Sequence, residues 1–236
     1  MTKPSKNPTF AARMNAFNRN LRLQVGLPAG VAAMNPFRES PLALRCADAF
    51  YDKYYADHAP RWGIFGINPG RFGAGLTGVP FTDFKKLREI CKVDVEGHSS
   101  NEPSSTFIYA MIAAMGGAAK FYRRYYINSL CPLGFVLEKK PGRWVNYNYY
   151  DDPAVFAAVK PFMAATLKRQ IALGLRRETA FCLGKKNLTY FARLNDEFGF
   201  FGDLIELPHP RYVVQYKFNL MRAYVEEYRR KLRSVR

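Results

Sequence analysis

A glycine-rich segment, residues 66–81, is the part of the chain best suited to hold a small flat molecule. It contains five glycines and two prolines, so its main chain must adopt special backbone angles and approach something closely. It lacks the GKS or GKT ending of a Walker phosphate loop, and it does not match a GxGxxG sequence that opens a helix. A cradle for a flat, neutral base fits better, with Phe81 as the stacking surface.

The elements that must position this segment are strands alternating with helices. This pattern predicts a three-layer α/β/α fold around a central, mostly parallel four-stranded sheet. Residues 94–104 and 138–150 are predicted as loops, and the first twenty residues as a loose arm or an amphipathic helix. We expect a single domain over 1–236, with 1–25 as a possible N-terminal arm. The predicted strands are 61–67, 125–128, 179–183 and 203–207, and the predicted helices are 40–58, 83–93, 105–119, 154–175, 186–194 and a basic C-terminal helix, 215–236.

The polar residues of interest follow the predicted strands. Asn68 follows the first strand, Asn128 and Ser129 close the second, and His209 follows the fourth. Ligands of open α/β sheets bind outside the carboxyl ends of the strands, so these residues should meet at one crevice. Taken alone, Asn68 before a proline is more often a turn residue, and His209 is equally compatible with a structural role.

The chain is strongly basic, with 36 Lys and Arg against 19 Asp and Glu and a formal charge of +17. This balance favours binding to a polyanion, most commonly a nucleic acid, although solubility or a membrane-surface or ribosome-associated role would also fit. The scattered cysteines contain no CxxC pair, so we expect free thiols, no metal and no cofactor. There is no membrane-length apolar run and no apolar signal core, which predicts a cytoplasmic protein.

The glycine-rich segment resembles a motif of a known family. Residues 66–81 are similar, without a gap, to motif 1 of the single-strand-selective monofunctional uracil-DNA glycosylases (SMUG), part of the uracil-DNA glycosylase superfamily. Residues 126–133 resemble a second stretch of that family, and His209-Pro210 resembles the start of its motif 2. The resemblance covers about residues 60–215 and indicates a divergent, bacterial-type branch with a uracil-DNA glycosylase-like fold.

The resemblance implies roles for individual residues. Asn68 would orient the attacking water, and Phe81 would stack on the flipped base. His209 would face O2 of the uracil and stabilise the negative charge on the leaving ring, as an oxyanion hole does. The base would also be bound by the remaining residues of the pocket, Ile67, Gly70 and Phe72.

The sequence departs from the family at two places. The family has one asparagine directly before Leu-Cys-Pro to read the uracil edge; here Ser129 stands there, and Asn128 is one residue earlier. Either residue is a candidate reader of the base. Motif 2 also differs, so Arg211 or Tyr212 could supply the wedge that fills the vacated base stack. Arg71, inside the glycine-rich segment, is a candidate phosphate contact.

The implied function is monofunctional hydrolysis of uracil, and of oxidised or modified uracil derivatives, from single- or double-stranded DNA. The product would be an abasic site in base excision repair, made by a monomeric enzyme at the bacterial nucleoid. Neither motif contains a lysine, so an imine intermediate and strand cleavage are not expected. Two alternatives are a catalytically weak nucleic-acid-binding module of the same fold and a nucleotide-handling enzyme whose glycine loop holds phosphates.

Overall fold

The computed structural model describes residues 7–95 and 102–235. Outside them lie the start of the possible N-terminal arm, most of the predicted loop 94–104, and Arg236 of the predicted C-terminal helix. The strands in chain order are β1 (Val31–Met34), β2 (Arg61–Gly66), β3 (Tyr125–Ser129), β4 (Gly134–Lys140), β5 (Arg143–Tyr147), β6 (Leu175–Leu183) and β7 (Asp203–Leu207). The helices are α1 (Phe10–Arg19), α2 (Pro36–Glu39), α3 (Pro41–Tyr54), α4 (Ala74–Thr77), α5 (Phe84–Glu89), α6 (Pro103–Ala114), α7 (Ala118–Arg124), α8 (Pro153–Ile171), α9 (Lys185–Phe198), α10 (Pro210–Tyr216) and α11 (Met221–Arg233), with a 3-10 turn at Phe218–Leu220.

The central sheet is parallel and has the strand order β3-β2-β6-β7, which confirms the predicted four-stranded core. Strands β2, β3 and the second half of β6 are buried runs, as expected for strands covered on both faces. Their carboxyl ends lie at one edge of the sheet, so the glycine-rich segment after β2 and His209 after β7 emerge on the same side.

Helices cover both faces of this sheet. On one face, the ring of Tyr126 packs against Phe10 of α1 at 5.4 Å between centroids, and α8 and α9 join this layer. On the other face, Tyr125 stacks on Phe121 of α7 at 5.0 Å, and its hydroxyl donates to a carbonyl of α11. Because neighbouring side chains on a strand point to opposite faces, Tyr125 and Tyr126 mark the two layers of the predicted α/β/α arrangement.

The prediction of a loop at residues 138–150 is wrong. Strands β4 and β5 form an antiparallel hairpin there, and β1 adds to it in the order β1-β4-β5. Gly142, at φ 74°, allows the tight turn between them. The exposed and half-buried residues of β5 lack the strong apolar alternation that marks a strand, so pairing across the hairpin decides its structure.

Several boundaries also differ from the prediction. The helix expected at 105–119 ends at Ala114, because Gly116 and Gly117 adopt positive φ angles, and α7 starts anew after them. The range 215–236 holds the end of α10, the 3-10 turn and α11 rather than one helix. Residues 10–19 form a helix with a buried face. No helix of the described residues is long and apolar enough to cross a membrane.

Candidate active site

A cavity of about 630 Å³ opens at the carboxyl edge of the parallel sheet. Its walls come from the glycine-rich segment, the start of α6, the segment after β5, and α10 with the residue before it. The cavity brings together most of the predicted site residues, namely Ile67, Asn68, Gly70, Phe72, Phe81, His209, Arg211 and Tyr212. Arg71, Asn128 and Ser129 are not among the residues that line it.

Asn68 is held by the main chain at the end of the hairpin. Its Nδ2 donates to the carbonyl of Tyr147 at 3.1 Å, and its Oδ1 accepts from the amide N–H of Tyr149 at 3.2 Å. A backbone N–H can only donate and a carbonyl can only accept, so these partners define the orientation of the amide. An amide oxygen has two lone pairs, and the one left over can accept a hydrogen bond from a water molecule.

The segment that holds Asn68 is itself anchored in the core. Tyr149 is fully buried, and its hydroxyl donates to Oδ1 of Asn187 at 2.6 Å. Asn187 in turn donates from Nδ2 to the carbonyl of Phe65 in β2, at 3.2 Å. This chain of buried hydrogen bonds ties the hairpin to the sheet, so the Asn68 side chain has a rigid support.

His209 stands at the N-cap of α10, and its Nδ1 accepts from the backbone N–H of Arg211 at 3.2 Å. A ring nitrogen that accepts carries no proton, so the proton of the neutral imidazole lies on Nε2, which becomes the available donor. Burial, with the nearby Arg211 charge, lowers the pKa of His209 to about 4. The ring is therefore neutral at pH 7 and offers one N–H.

Two contacts fix the backbone around His209. The hydroxyl of Tyr228, from α11, donates to the carbonyl of Pro208. Gly184 follows β6 at φ 96°, and a Cβ there would lie 3.2 Å from Cβ of His209. Only glycine combines this backbone angle with such a close approach, so Gly184 allows β6 and the His209 segment to meet.

Phe81 has a positive φ of 53°, which is unusual for a bulky residue. Its ring lies over Gly66, where an added Cβ would be 3.0 Å from Cζ of the ring. The centroids of Phe81 and His209 are 6.3 Å apart. Strained backbone of this kind persists where the surroundings demand it, and here it presents an aromatic face to the cavity.

Asn128 and Ser129 lie on opposite faces of the sheet. Both are buried, at 5% and 4% exposure. The Asn128 amide donates to the hydroxyl of Tyr126, and its Oδ1 accepts from the N–H of Ser129 at 2.8 Å. Asn128 therefore makes its hydrogen bonds in the core on the α1 and α8 side, and its role in reading a base stays a prediction.

Ser129 is in register with Gly66 of the neighbouring strand. Residues paired in this way in a parallel sheet share a face, and the Gly66 face is the one that Phe81 covers. The Ser129 hydroxyl makes no hydrogen bond to another residue in the described part of the chain. Of the two candidate readers, Ser129 is the one whose side chain points towards the Phe81 side.

The predicted DNA contacts occupy the rim. Arg71 donates from its guanidinium to the carbonyl of Trp144 and lies 5.3 Å from the ring centroid of Phe72. Phe72, which lines the cavity from the glycine-rich segment, is 58% exposed. Tyr212 and Tyr216, which line it from α10, are also exposed, with ring centroids 5.8 Å apart. Exposed aromatic rings of this kind are suited to stack on bases.

Sequence reasoning missed part of the lining. The segment 138–150, predicted above as a loop, contributes Asn146, Asn148 and Tyr150 to the lining, and neither Tyr216 nor Glu102 is among the predicted site residues. The missed lining residues are Pro69, Gly73, Glu102, Pro103, Ser104, Asn146, Asn148, Tyr150, Gln215 and Tyr216. The spacing of Tyr216 four residues after Tyr212 on a helix was a usable signal, because such residues share a face. Glu102 lies in a polar stretch of the sequence, and no sequence pattern distinguishes it from its neighbours.

The family of the chain follows from comparison with known proteins. The family profile described as the uracil DNA glycosylase superfamily matches residues 53–233, about three quarters of the chain. The chain belongs to the uracil-DNA glycosylase superfamily. Among solved structures, the chain is similar to that of wild-type SMUG2 from Pedobacter heparinus, with 43% sequence identity and a TM-score of 0.94. The match covers 96% of this chain and 98% of the SMUG2 chain. No curated protein sequence matches the chain.

These findings confirm the SMUG resemblance and the uracil-DNA glycosylase-like fold. They support a DNA glycosylase-type function, a hydrolase that acts on DNA in repair. The cavity at the carboxyl edge of the sheet is therefore the candidate active site of a uracil-DNA glycosylase superfamily member.

Proposed function

We propose that the protein is a monofunctional glycosylase that flips uracil out of DNA and hydrolyses the bond between base and sugar, leaving an abasic site. The observation that carries the proposal is that Asn68, Phe81 and His209 line one cavity. Asn68 would hold a water molecule, Phe81 would stack on the flipped base, and His209 would offer an N–H to the leaving ring.

The chemistry follows from the charges that develop. As the C1′–N1 bond breaks, the sugar becomes positive and the uracil ring becomes negative, with charge on O2 and O4. The neutral His209 can donate its Nε2 proton in a hydrogen bond to O2, which stabilises the leaving ring. Water positioned by the Asn68 amide attacks C1′. Because residues 66–81 and 209–213 contain no lysine, no covalent imine step is part of this proposal.

Base recognition combines stacking with one polar edge contact. Phe81 stacks on the flipped base, which offsets part of the few kcal/mol that extrusion costs. Ser129 lies on the same side of the sheet as Phe81 but does not line the cavity, so its hydroxyl would read the base edge with help from a water molecule, by donating towards O4 or accepting from N3–H. At Gly70, an added Cβ would find its nearest neighbour at 3.8 Å, so the pocket has room beside the ring for a substituted uracil.

The lips of the cavity bind the flanking DNA. Arg211 and Tyr212 line the cavity from α10, and Phe72 lines it from the glycine-rich segment. Tyr212, exposed and at the start of α10, is the better candidate for the wedge that replaces the flipped base, while Arg211 and Arg71 lie near enough to the rim to meet phosphates. The net charge of +17 favours this binding and makes it sensitive to salt.

The test is an excision assay on defined oligonucleotides. The purified chain is incubated with single- and double-stranded DNA that contains uracil, a 5-substituted uracil or only normal bases, and samples are analysed before and after alkali. We expect strand breaks at the uracil position only after alkali. Binding to DNA without any abasic product would instead favour the non-catalytic module. Breaks before alkali would contradict the monofunctional mechanism.

A further inference from the structure

Glu102 brings an acidic group into the candidate active site. It lines the same cavity as Asn68 and His209, and no other Asp or Glu is among the described residues that line it. Asn68, which holds the water in the proposed function, is neutral. A reaction that places positive charge on a sugar therefore has one carboxylate within the cavity that could respond to it.

The carboxyl of Glu102 packs against Gly73. A Cβ added to Gly73 would overlap Oε2 and would lie 2.9 Å from Oε1, so the carboxyl occupies the space of the missing side chain. Because only glycine leaves this space free, glycine at 73 accounts for the position of the Glu102 carboxyl.

The carboxyl of Glu102 is not used by the fold. Glu102 occupies the N-cap position of α6, yet its side chain makes no capping hydrogen bond. Its Oε2 is buried and has no hydrogen-bond partner among the described residues. A buried carboxyl oxygen without a partner is costly and is therefore typical of a group kept for function.

The surroundings of Glu102 place its titration in the working range of an enzyme. Burial and the nearby carboxylate of Asp83 raise its pKa to about 7. Asp83, at the N-terminus of α5, accepts from Ser105 and from the backbone N–H of Glu102. Among the described residues, the other titratable or charged groups that line the cavity are His209, Arg211, Tyr212 and Tyr216 of the α10 wall and Tyr150 of the segment after β5.

We propose that Glu102 is a catalytic acid–base group, with its ionised carboxylate stabilising the positive sugar and taking a proton from the attacking water. This inference rests on the proposed function. The water oxygen bonds to C1′ as the C1′–N1 bond breaks, and the bonding pair leaves with the base. One water proton passes to the Glu102 carboxylate and is then released to solvent or to the uracil anion. The products are an abasic sugar and free uracil.

The test compares the full chain with Glu102→Gln in single-turnover excision from about pH 5.5 to about pH 8.5, the range around a near-neutral group. We expect the parent rate to rise with pH, with a midpoint near the raised pKa of Glu102, about 7. The variant should be about 100-fold slower at the upper pH, and its rate should lose the rise. His209, with its pKa lowered to about 4, stays neutral across this range.

Glutamine has the shape of glutamate and Oε2 has no partner to lose, so the variant should keep its fold and its affinity for an uncleavable uracil analogue in DNA. If Glu102→Gln has the parent rate, or a slower rate that still rises with pH, the role of Glu102 is overturned and the proposed function stands. No excision by the parent chain overturns the proposed function, and the role of Glu102 with it. If Glu102→Gln fails to fold, Asp83→Asn is measured instead, because it removes the charge that helps to raise the pKa of Glu102. A lower midpoint of the pH–rate profile then supports the role of Glu102, and an unchanged midpoint overturns it.

Discussion

Phe81 and His209 both line the candidate active site, with ring centroids 6.3 Å apart and ring planes inclined by 59°. The two rings are therefore tilted and not stacked on each other. A base stacked on Phe81 would have one edge within reach of the His209 Nε2 proton. The two residues are far apart in the chain, since one ends the glycine-rich segment after β2 and the other follows β7.

Replacement of His209 should slow excision strongly. His209→Ala removes the donor to the leaving ring, and loss of one such donor typically costs about 10²–10³ in rate. Alanine also removes the N-cap acceptor for the Arg211 N–H. His209→Asn keeps a capping side chain and is the matched control for folding. Single-turnover rates should fall in both variants, and a parent rate in His209→Asn would contradict the assignment.

The stability of the fold should depend on pH through His209. Its pKa in the folded chain, about 4, is below the value of about 6.5 expected when unfolded. The unfolded chain therefore binds an additional proton between these values, so His209 makes the folded state less stable as pH falls through that window. Urea unfolding at about pH 7.5 and about pH 4.5 should show a larger loss for the parent than for His209→Asn. Equal losses would count against the depressed pKa.

Phe81→Ala should weaken excision more than it weakens DNA binding. Stacking on an aromatic ring is worth about 1–3 kcal/mol per base, whereas the salt-sensitive affinity comes from cationic side chains elsewhere. We expect about a tenfold or larger fall in rate with a small change in Kd. Phe198→Ala is the control, because Phe198 is an exposed phenylalanine that does not line the cavity. Equal losses of rate and affinity in Phe81→Ala would contradict this role.

Asn68→Ala should lower the excision rate at least about tenfold, because the amide that holds the water is lost. It also removes the contacts to Tyr147 and Tyr149. Asn68→Asp keeps an acceptor for the Tyr149 N–H and for water, although it can no longer donate to the Tyr147 carbonyl. We expect the aspartate variant to retain more activity than the alanine variant in the same single-turnover assay. The reverse order would argue that Asn68 acts mainly as a support for the hairpin.

Ser129 and Asn128 should differ in what their replacement affects. Ser129→Ala should leave the unfolding free energy nearly unchanged but lower the excision of uracil, because the base edge loses its polar contact. Asn128→Ala removes buried bonds to Tyr126 and to the Ser129 backbone, at a cost of about 1–3 kcal/mol in stability. Denaturant unfolding and excision rates measured on both variants test this. A stable Asn128→Ala with a large loss of rate would return Asn128 to the base-reading role.

The amino-acid sequence by itself determined the class of fold and the main features of the site. The alternation of buried strands and helices is a local pattern, so the parallel sheet could be predicted without coordinates. Motif spacing and strand ends likewise predicted that Asn68 and His209 would meet, because the carboxyl ends of parallel strands share one edge. The cavity that contains both is the structural counterpart of that prediction.

Only the tertiary structure decided the details that depend on pairing between distant segments. The face on which Asn128 or Ser129 lies follows from the register of β3 against β2, and a shift of one residue would exchange them. The β4–β5 hairpin depends on cross-strand contacts that weak local propensities do not reveal. Glu102 reaches the cavity because Gly73, far along the chain, leaves space for a carboxyl. Such relationships arise from packing between elements, which no local pattern of residues encodes.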